Sequence, residues 1–425
     1  MTFSIENEKI HVNTFSSYVC DLIWYTGINV SFFFSSPMSS ALVSDRPPCF
    51  TSSHRRYNPL SGDWVIVSPR RLDRPWSGHT ELPKAGKTAV NNEGEGSAKN
   101  PLSPGASRSS GIMNPLYTGI FKFANDFPAL NTESFDPAQD DRCRRDALLK
   151  NKLFAWTPAH GECSVMCFHP RSDLTLALMT HDEVLRVIRA WCDMTSEYRN
   201  AKSYRWLQIF ENRGAAVGSS NMHPHCQVWA CGFLPSLVER YDRNQWEYFA
   251  DHNIPLLLDY ARQEEVRMSQ SDCRIVTYNE HWLVVVPWWA CWPFETLILP
   301  RKRHIRWLDE LAADEKGSLT RVIQELLIRY DNLFHTDFPY SMGWYQAPLH
   351  HIGCDVLTPK ESYQEQAHWQ IHALFQPPLL RSASVRKFMS GFELLAEAQR
   401  DLLPERAAEI LRQVPTVHYT LTATQ

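Results

Sequence analysis

Along the chain the spacing of apolar positions switches between two and about 3.6 residues, and each switch predicts a change from strand to helix or back. Regular pattern begins near His54. A turn at Asn58, Pro59, Ser61 and Gly62 leads into a short strand at 64–68. Residues 118–130 and 163–170 read as further strands. Thr180 with Glu183 three places on is a capping-box pair. Val184, Val187, Ile188, Trp191, Met194 and Tyr198 then recur at helical spacing, which predicts one buried stripe. Residues 206–211 and 223–230 read as strands on either side of a loop of small residues.

After a proline-bounded turn at 233–235 the same order returns. Residues 282–287 and 296–300 read as strands. Residues 312–334 read as a helix with Leu319, Val322, Ile323, Leu326, Leu327, Tyr330 and Leu333 inward, and 368–375 as a strand that again carries a histidine. Strand, helix, strand, histidine strand thus occurs twice, the mark of a weak internal duplication. The expected organisation is an extension at 1–53 that is poorly ordered, a first domain at 54–236 and a second at 237–425. Residues 82–110, rich in Gly, Ser, Asn, Lys and Pro, read as a long surface loop. Residues 384–401 and 404–414 carry helical pattern, with Pro404 at a helix start.

The chemistry concentrates in NMHPHCQVWA at 221–230. His223, His225 and Gln227 are two apart, so in an extended strand all three are expected on one face. Pro224 lacks a backbone donor and favours extended chain between the histidines. Upstream lies ENRGAAVGSS at 211–220. Glycines allow close approach to a ligand, and successive N–H groups in such a loop cradle phosphate. An isolated H-x-H is more often a structural or metal-binding pair. The adjoining glycine loop and Gln227 shift the balance toward a neutral imidazole placed to attack phosphorus.

Composition changes this picture little. The 425 residues are 44% hydrophobic and 21% charged, with net charge −4, so no nucleic-acid footprint is present. Eleven cysteines with no CxxC pair suit a reducing, cytoplasmic setting better than a disulfide framework. No run reaches the roughly 18 uncharged apolar residues of a membrane span. Residues 18–34 are apolar but broken by Asp21, Gly27 and Asn29, and lack the basic leader of a secretory signal.

HPHCQVWA, ENRGAAVGSSN, FANDFPAL, the block at 281–304, RYDNLFHTDFPYSMGW and PPLLRSASVRKFMSGFELLAEAQRDL together resemble the galactose-1-phosphate uridylyltransferases, from about His54 to the C-terminus. The resemblance implies an α+β fold of two histidine-triad-like domains, each an antiparallel half-barrel sheet with flanking helices, and a homodimer. It also implies conversion of UDP-glucose and galactose 1-phosphate into UDP-galactose and glucose 1-phosphate. Double displacement needs a nucleophile that also leaves well, and imidazole, with a reference pKa of about 6.5, serves both roles. The family's nucleophile is the second histidine of HPH, here His225. Gln227 would donate its amide to a phosphate oxygen, and Gly218, Ser219 and Ser220 would bind the same phosphates. Arg71 and Arg74 match arginines near the nucleotide. Asn125, Asp126 and Asn212 match uridine and ribose contacts. Lys387, Phe388, Glu393 and Gln399 match hexose contacts, while Phe392 replaces a usual tyrosine.

Two alternatives accompany this reading. A histidine-triad hydrolase or phosphorylase would carry a third histidine where Gln227 stands. A catalytically weak nucleotide-sugar binder is the other. Zinc belongs to the family but to no step of the reaction, and most ligand positions are substituted here. Asn100, Ser103 and Ser172 stand with His223 at one site, and Tyr241, Tyr345 and Leu374 with His372 at the other. Three protein ligands are the usual minimum, so no tightly bound metal is expected.

Overall fold

In the computed structural model, described over residues 2–5, 8–11, 52–73, 100–132, 137–219, 221–350 and 366–422, the chain forms two compact units, Met1–Pro47 and Pro48–Gln425. In the first unit, β1 (Thr2–Ile5) and β2 (Glu8–His11) form an antiparallel pair. The rest of the 1–53 extension lies almost wholly outside the described residues. The second unit opens with β3 (His54–Tyr57) and β4 (Trp64–Val67).

The strands that follow build one antiparallel sheet. In chain order they are β5 (Phe121–Ala124), β6 (Gly161–Cys167), β7 (Trp206–Arg213), β8 (His225–Cys231), β9 (Ile275–Tyr278), β10 (Trp282–Val285), β11 (Thr296–Pro300), β12 (Tyr340–Tyr345) and β13 (His372–Gln376). In space they run β5-β6-β8-β7-β12-β13-β11-β10-β9. β8 lies between β6 and β7, and β13 lies between β11 and β12, so the two halves repeat one pattern. The antiparallel pairing of β7 with β12 fuses them into a single sheet.

One face of this sheet is packed and the other is partly open. On β8, Cys226, Val228 and Ala230 are buried, while His225, Gln227 and Trp229 alternate with them on the less covered side. Among the described helices are α1 (Pro137–Lys150), α2 (His181–Ala201), α3 (Ser236–His252), α4 (Leu256–Val266) and α5 (Ala313–Leu333). The buried stripes of α2 and α5 join the packed face in one apolar cluster. Trp191 of α2 meets Trp344 of β12 edge-on at 6.1 Å, which ties the halves through the core. α2 starts where the capping box predicts. Thr180 accepts the Glu183 N–H at 3.3 Å, and the Glu183 carboxylate accepts the Thr180 N–H at 2.8 Å.

Several elements differ from expectation. β8 begins at His225, so His223 is not a strand residue, and β13 begins at His372 rather than near 368. The 384–401 stretch is not a continuous helix. It gives β15 (Val385–Arg386), which pairs with β14 (Leu379–Ser382), a single turn α6 (Phe392–Leu395), and β16 (Ala398–Arg400). Pairing overrides local propensity there, because β16 runs parallel to β4 and completes the three-stranded sheet β16-β4-β3. α3 and α4 are helices the sequence reading passed over; both have proline at the N-cap and no side-chain cap. α7 (Pro404–Gln413) starts on proline as predicted, and α8 (Tyr419–Thr422) closes the described chain.

Candidate active site

His225 opens β8 opposite Cys167 of β6. Its Nδ1 lies 2.7 Å from the backbone oxygen of His223. A carbonyl oxygen only accepts, so Nδ1 carries the ring proton and Nε2 keeps its lone pair. Burial lowers the His225 pKa below the usual histidine value, so the ring is neutral at neutral pH. Gln227 stands two residues on, on the same side. The Trp229 indole N–H donates to its Oε1 at 3.0 Å. An indole nitrogen can only donate, which assigns the amide oxygen and leaves the amide NH2 as a donor.

Asn212 lies near the end of β7 and lines the same pocket as His225, together with Gly214, Asn221, Leu174 and Asp337. Ser341 of β12 donates to Asn212 Oδ1 at 2.8 Å, which again leaves an NH2 as the free end of the amide. The loop after β7 owes its shape to Gly214, at φ +89°, where a Cβ would stand 3.0 Å from Pro339 Cβ. The loop amides differ from the expected phosphate cradle. Val217 and Ser219 N–H donate to Gly214 O at 3.2 and 3.3 Å, and Gly218 N–H donates to Ala215 O at 3.1 Å. The Ser219 hydroxyl donates to Asn221 O at 3.1 Å. Gly218 and Ser219 therefore set the loop's form and offer no backbone donor outward. Ser220 lies outside the described residues, as does Arg74.

The remaining predicted residues fall into separate groups. Asn125 Oδ1 caps a turn by accepting Phe127 N–H at 3.0 Å, and Asp126 pairs with Arg108 at 3.5 Å, both just past the end of β5. Arg71 reaches Asp401 at 3.3 Å, and Gln399 donates to the same carboxylate at 2.7 Å. Lys387 pairs with Glu393 and donates to Gln399 O at 2.6 Å, with Phe388 exposed beside them. Arg71, Lys387, Glu393 and Gln399 are thus one linked cluster. None of them lines the His225 pocket. Glu393 instead borders a cavity of ≈ 500 Å³ with His372 and Leu374 of β13. β8 and β13 stand three ladder spacings apart, roughly 14 Å.

Neither group of metal-ligand positions fits a metal. Asn100, Ser103, Ser172 and His223 do come together, but both ring nitrogens of His223 are taken, by Ser172 Oγ at 2.8 Å and Tyr117 Oη at 2.9 Å. At the second site Tyr345 stacks on His372 at 5.1 Å and 4°, and Tyr241 lies 5.5 Å from Tyr345. Burial raises both phenols, so neither supplies an anionic ligand, and Leu374 has none to give. Among the described residues no group of three or more His, Cys, Asp or Glu is placed to hold a metal ion.

Two family models match most of the chain: galactose-1-phosphate uridyl transferase, N-terminal domain, over residues 44–235, and its C-terminal domain over residues 241–423. The chain belongs to the galactose-1-phosphate uridylyltransferase family. A galactose-1-phosphate uridylyltransferase from Rattus norvegicus is 50% identical over 369 residues, 87% of this chain and 89% of its own length. One from Haemophilus influenzae is 44% identical over 368 residues, 86% and 95% of the two chains. Solved structures share the fold. A uridylyltransferase covers 84% of this chain and 97% of its own, with 22% identity and a TM-score of 0.59. An ADP-glucose phosphorylase from Arabidopsis thaliana with bound ADP-glucose covers 86% and 100%, with 20% identity and a TM-score of 0.61. The antiparallel α+β architecture and its repeated halves agree with what the family resemblance implied. Tyr117 is the site residue that sequence reading missed; it lies 106 residues from His223 with no local motif to announce it.

Proposed function

We propose that this protein is a UDP-glucose–hexose-1-phosphate uridylyltransferase that works by double displacement through His225. The observation that carries the reading is the 2.7 Å contact of His225 Nδ1 with the His223 carbonyl, which leaves Nε2 its lone pair, with the Gln227 amide NH2 kept as a donor two residues on. In the first half-reaction Nε2 attacks the α-phosphorus of UDP-glucose. An Nε2–P bond forms, the P–O bond to glucose 1-phosphate breaks, and the uridylyl group stays on the ring. The Nδ1–H bond to the backbone steadies the charge the ring acquires. In the second half-reaction a phosphate oxygen of galactose 1-phosphate takes the group and Nε2 recovers its lone pair. The Gln227 NH2 donates to a non-bridging oxygen as charge develops there, and it adds no charge of its own.

The separation of Lys387, Phe388, Glu393 and Gln399 from His225 supports a homodimer in which a second copy brings the hexose-reading cluster to each nucleophile. No described helix is long and apolar enough to cross a membrane. Initial rates measured against both substrates test the proposal. Parallel double-reciprocal lines and exchange of label between UDP-glucose and glucose 1-phosphate without galactose 1-phosphate are expected. Intersecting lines with no such exchange would refute it.

A further inference from the structure

We propose that Tyr117 and Ser172 are positioning residues for His225, acting through His223 by a relay of hydroxyl groups in the place where a metal ion would otherwise hold that ring. Tyr117 donates its own proton to Leu102 O at 2.5 Å, so it is the phenol's lone pair that meets His223 Nε2 at 2.9 Å. His223 Nε2 therefore carries a proton. His223 is 1% exposed and its two ring nitrogens meet only hydroxyl groups, with no carboxylate to balance a charged ring, so the ring holds the single Nε2 proton and Nδ1 is bare. Nδ1 must then accept, and the Ser172 hydroxyl donates to it at 2.8 Å. With its proton committed, Ser172 Oγ accepts from Ser103 Oγ at 3.1 Å. Every proton in the relay follows from one fixed end, the Leu102 carbonyl.

The relay bears on the nucleophile because it holds residue 223 from the side. The His223 N–H is held as well, by Asn221 Oδ1 at 2.8 Å, which Asn100 Nδ2 braces at 2.7 Å. What remains of the residue is its carbonyl, and that carbonyl selects the Nδ1–H form of His225. The neighbouring histidines thus hold opposite tautomers, Nε2–H at 223 and Nδ1–H at 225. An unconstrained histidine side chain favours Nε2–H, the form with no lone pair where attack must occur. Loosening His223 should release His225 toward that form. This inference rests on the reading of His225 as the nucleophile, and it adds the groups that hold it ready.

The test uses the full chain labelled with nitrogen-15, with the ring tautomers read from two-bond proton–nitrogen correlations. In the unaltered protein His225 should show the Nδ1–H pattern and His223 the Nε2–H pattern. In Tyr117→Phe combined with Ser172→Ala, the His225 pattern should move toward Nε2–H. Its kcat should fall about 10-fold or more, the usual scale for removing groups that orient a functional histidine, with KM for UDP-glucose within about two-fold. Ser172→Thr, which keeps the hydroxyl, should retain both properties. If the double variant fails to fold, Tyr117→Phe alone is read in the same way. Unchanged His225 tautomer in a folded variant would overturn the relay, whatever happens to kcat. Absence of uridylyl transfer by the unaltered protein would instead defeat the functional reading, because the tautomer measurement needs no substrate.

Discussion

At the scale of single residues, what matters is which atom holds a proton. In the proposed reaction His225 attacks only while Nε2 is bare, and burial lowers its pKa below 6.5. Protonation removes the lone pair, so the uridylylation rate should be lost as pH falls, with its midpoint below 6.5. A pre-steady-state pH profile checks this, and a midpoint above 6.5 would contradict it. Gln227→Ala removes the proposed phosphate donor and should lower kcat by about 10²- to 10³-fold, the usual cost of one oxyanion donor. A single-turnover assay reads it, and a loss of less than about three-fold would reassign Gln227 to structure. The sequence made His225 and Gln227 legible because strand period two puts both on the open face. It began the strand too early, because the chain bends at His223 before β8 starts, and the ring there meets Tyr117 and Ser172. Tyr117 and Ser172 are 106 and 51 residues away from His223, so no local pattern could pair them.

At the scale of elements, β3, α4, α7 and the start of β9 are braced by ionic ties between distant segments. Glu405 of α7 accepts from Arg56 of β3 at 2.9 Å and from Arg274, just before β9, at 2.9 Å, all three nearly buried. Arg274 also reaches Glu264 of α4 at 2.8 Å. Glu405→Ala would leave two guanidinium groups facing each other without their shared anion. It should destabilise the fold by about 3–5 kcal/mol in urea unfolding, the scale for breaking a buried pair from one side. A loss under about 1 kcal/mol would show that water takes over the role. Local pattern identified α2 and α5, whose stripes and lengths are unambiguous. It failed at 384–401, where β16 is held extended by β4, a partner more than 300 residues earlier. It missed α3 and α4 because Pro235 and Pro255 replace the usual Ser, Thr, Asp or Asn start signal.

At the scale of the molecule, one sheet joins both halves, so His225 on β8 and the cluster around Glu393 belong to a single unit, Pro48–Gln425. The duplication was readable as a repeated order of elements, but the β7–β12 pairing that fuses the halves leaves no mark in either segment. The substituted ligand positions hold hydrogen-bonded hydroxyls at one site and stacked rings at the other. Exhaustive chelation should therefore leave turnover and the melting temperature unchanged. A drop reversed by zinc would show that a metal is recruited after all. The central claim is that the uridylyl group rides on one imidazole nitrogen. Its most direct measurement incubates the protein with UDP-glucose labelled at the α-phosphate, without galactose 1-phosphate, and denatures it in alkali, where a phosphoramidate survives. Label approaching one equivalent per chain is predicted, absent in His225→Ala and released by galactose 1-phosphate as UDP-galactose before denaturation. Equal labelling of His225→Ala, or none in the unaltered protein, would contradict the account.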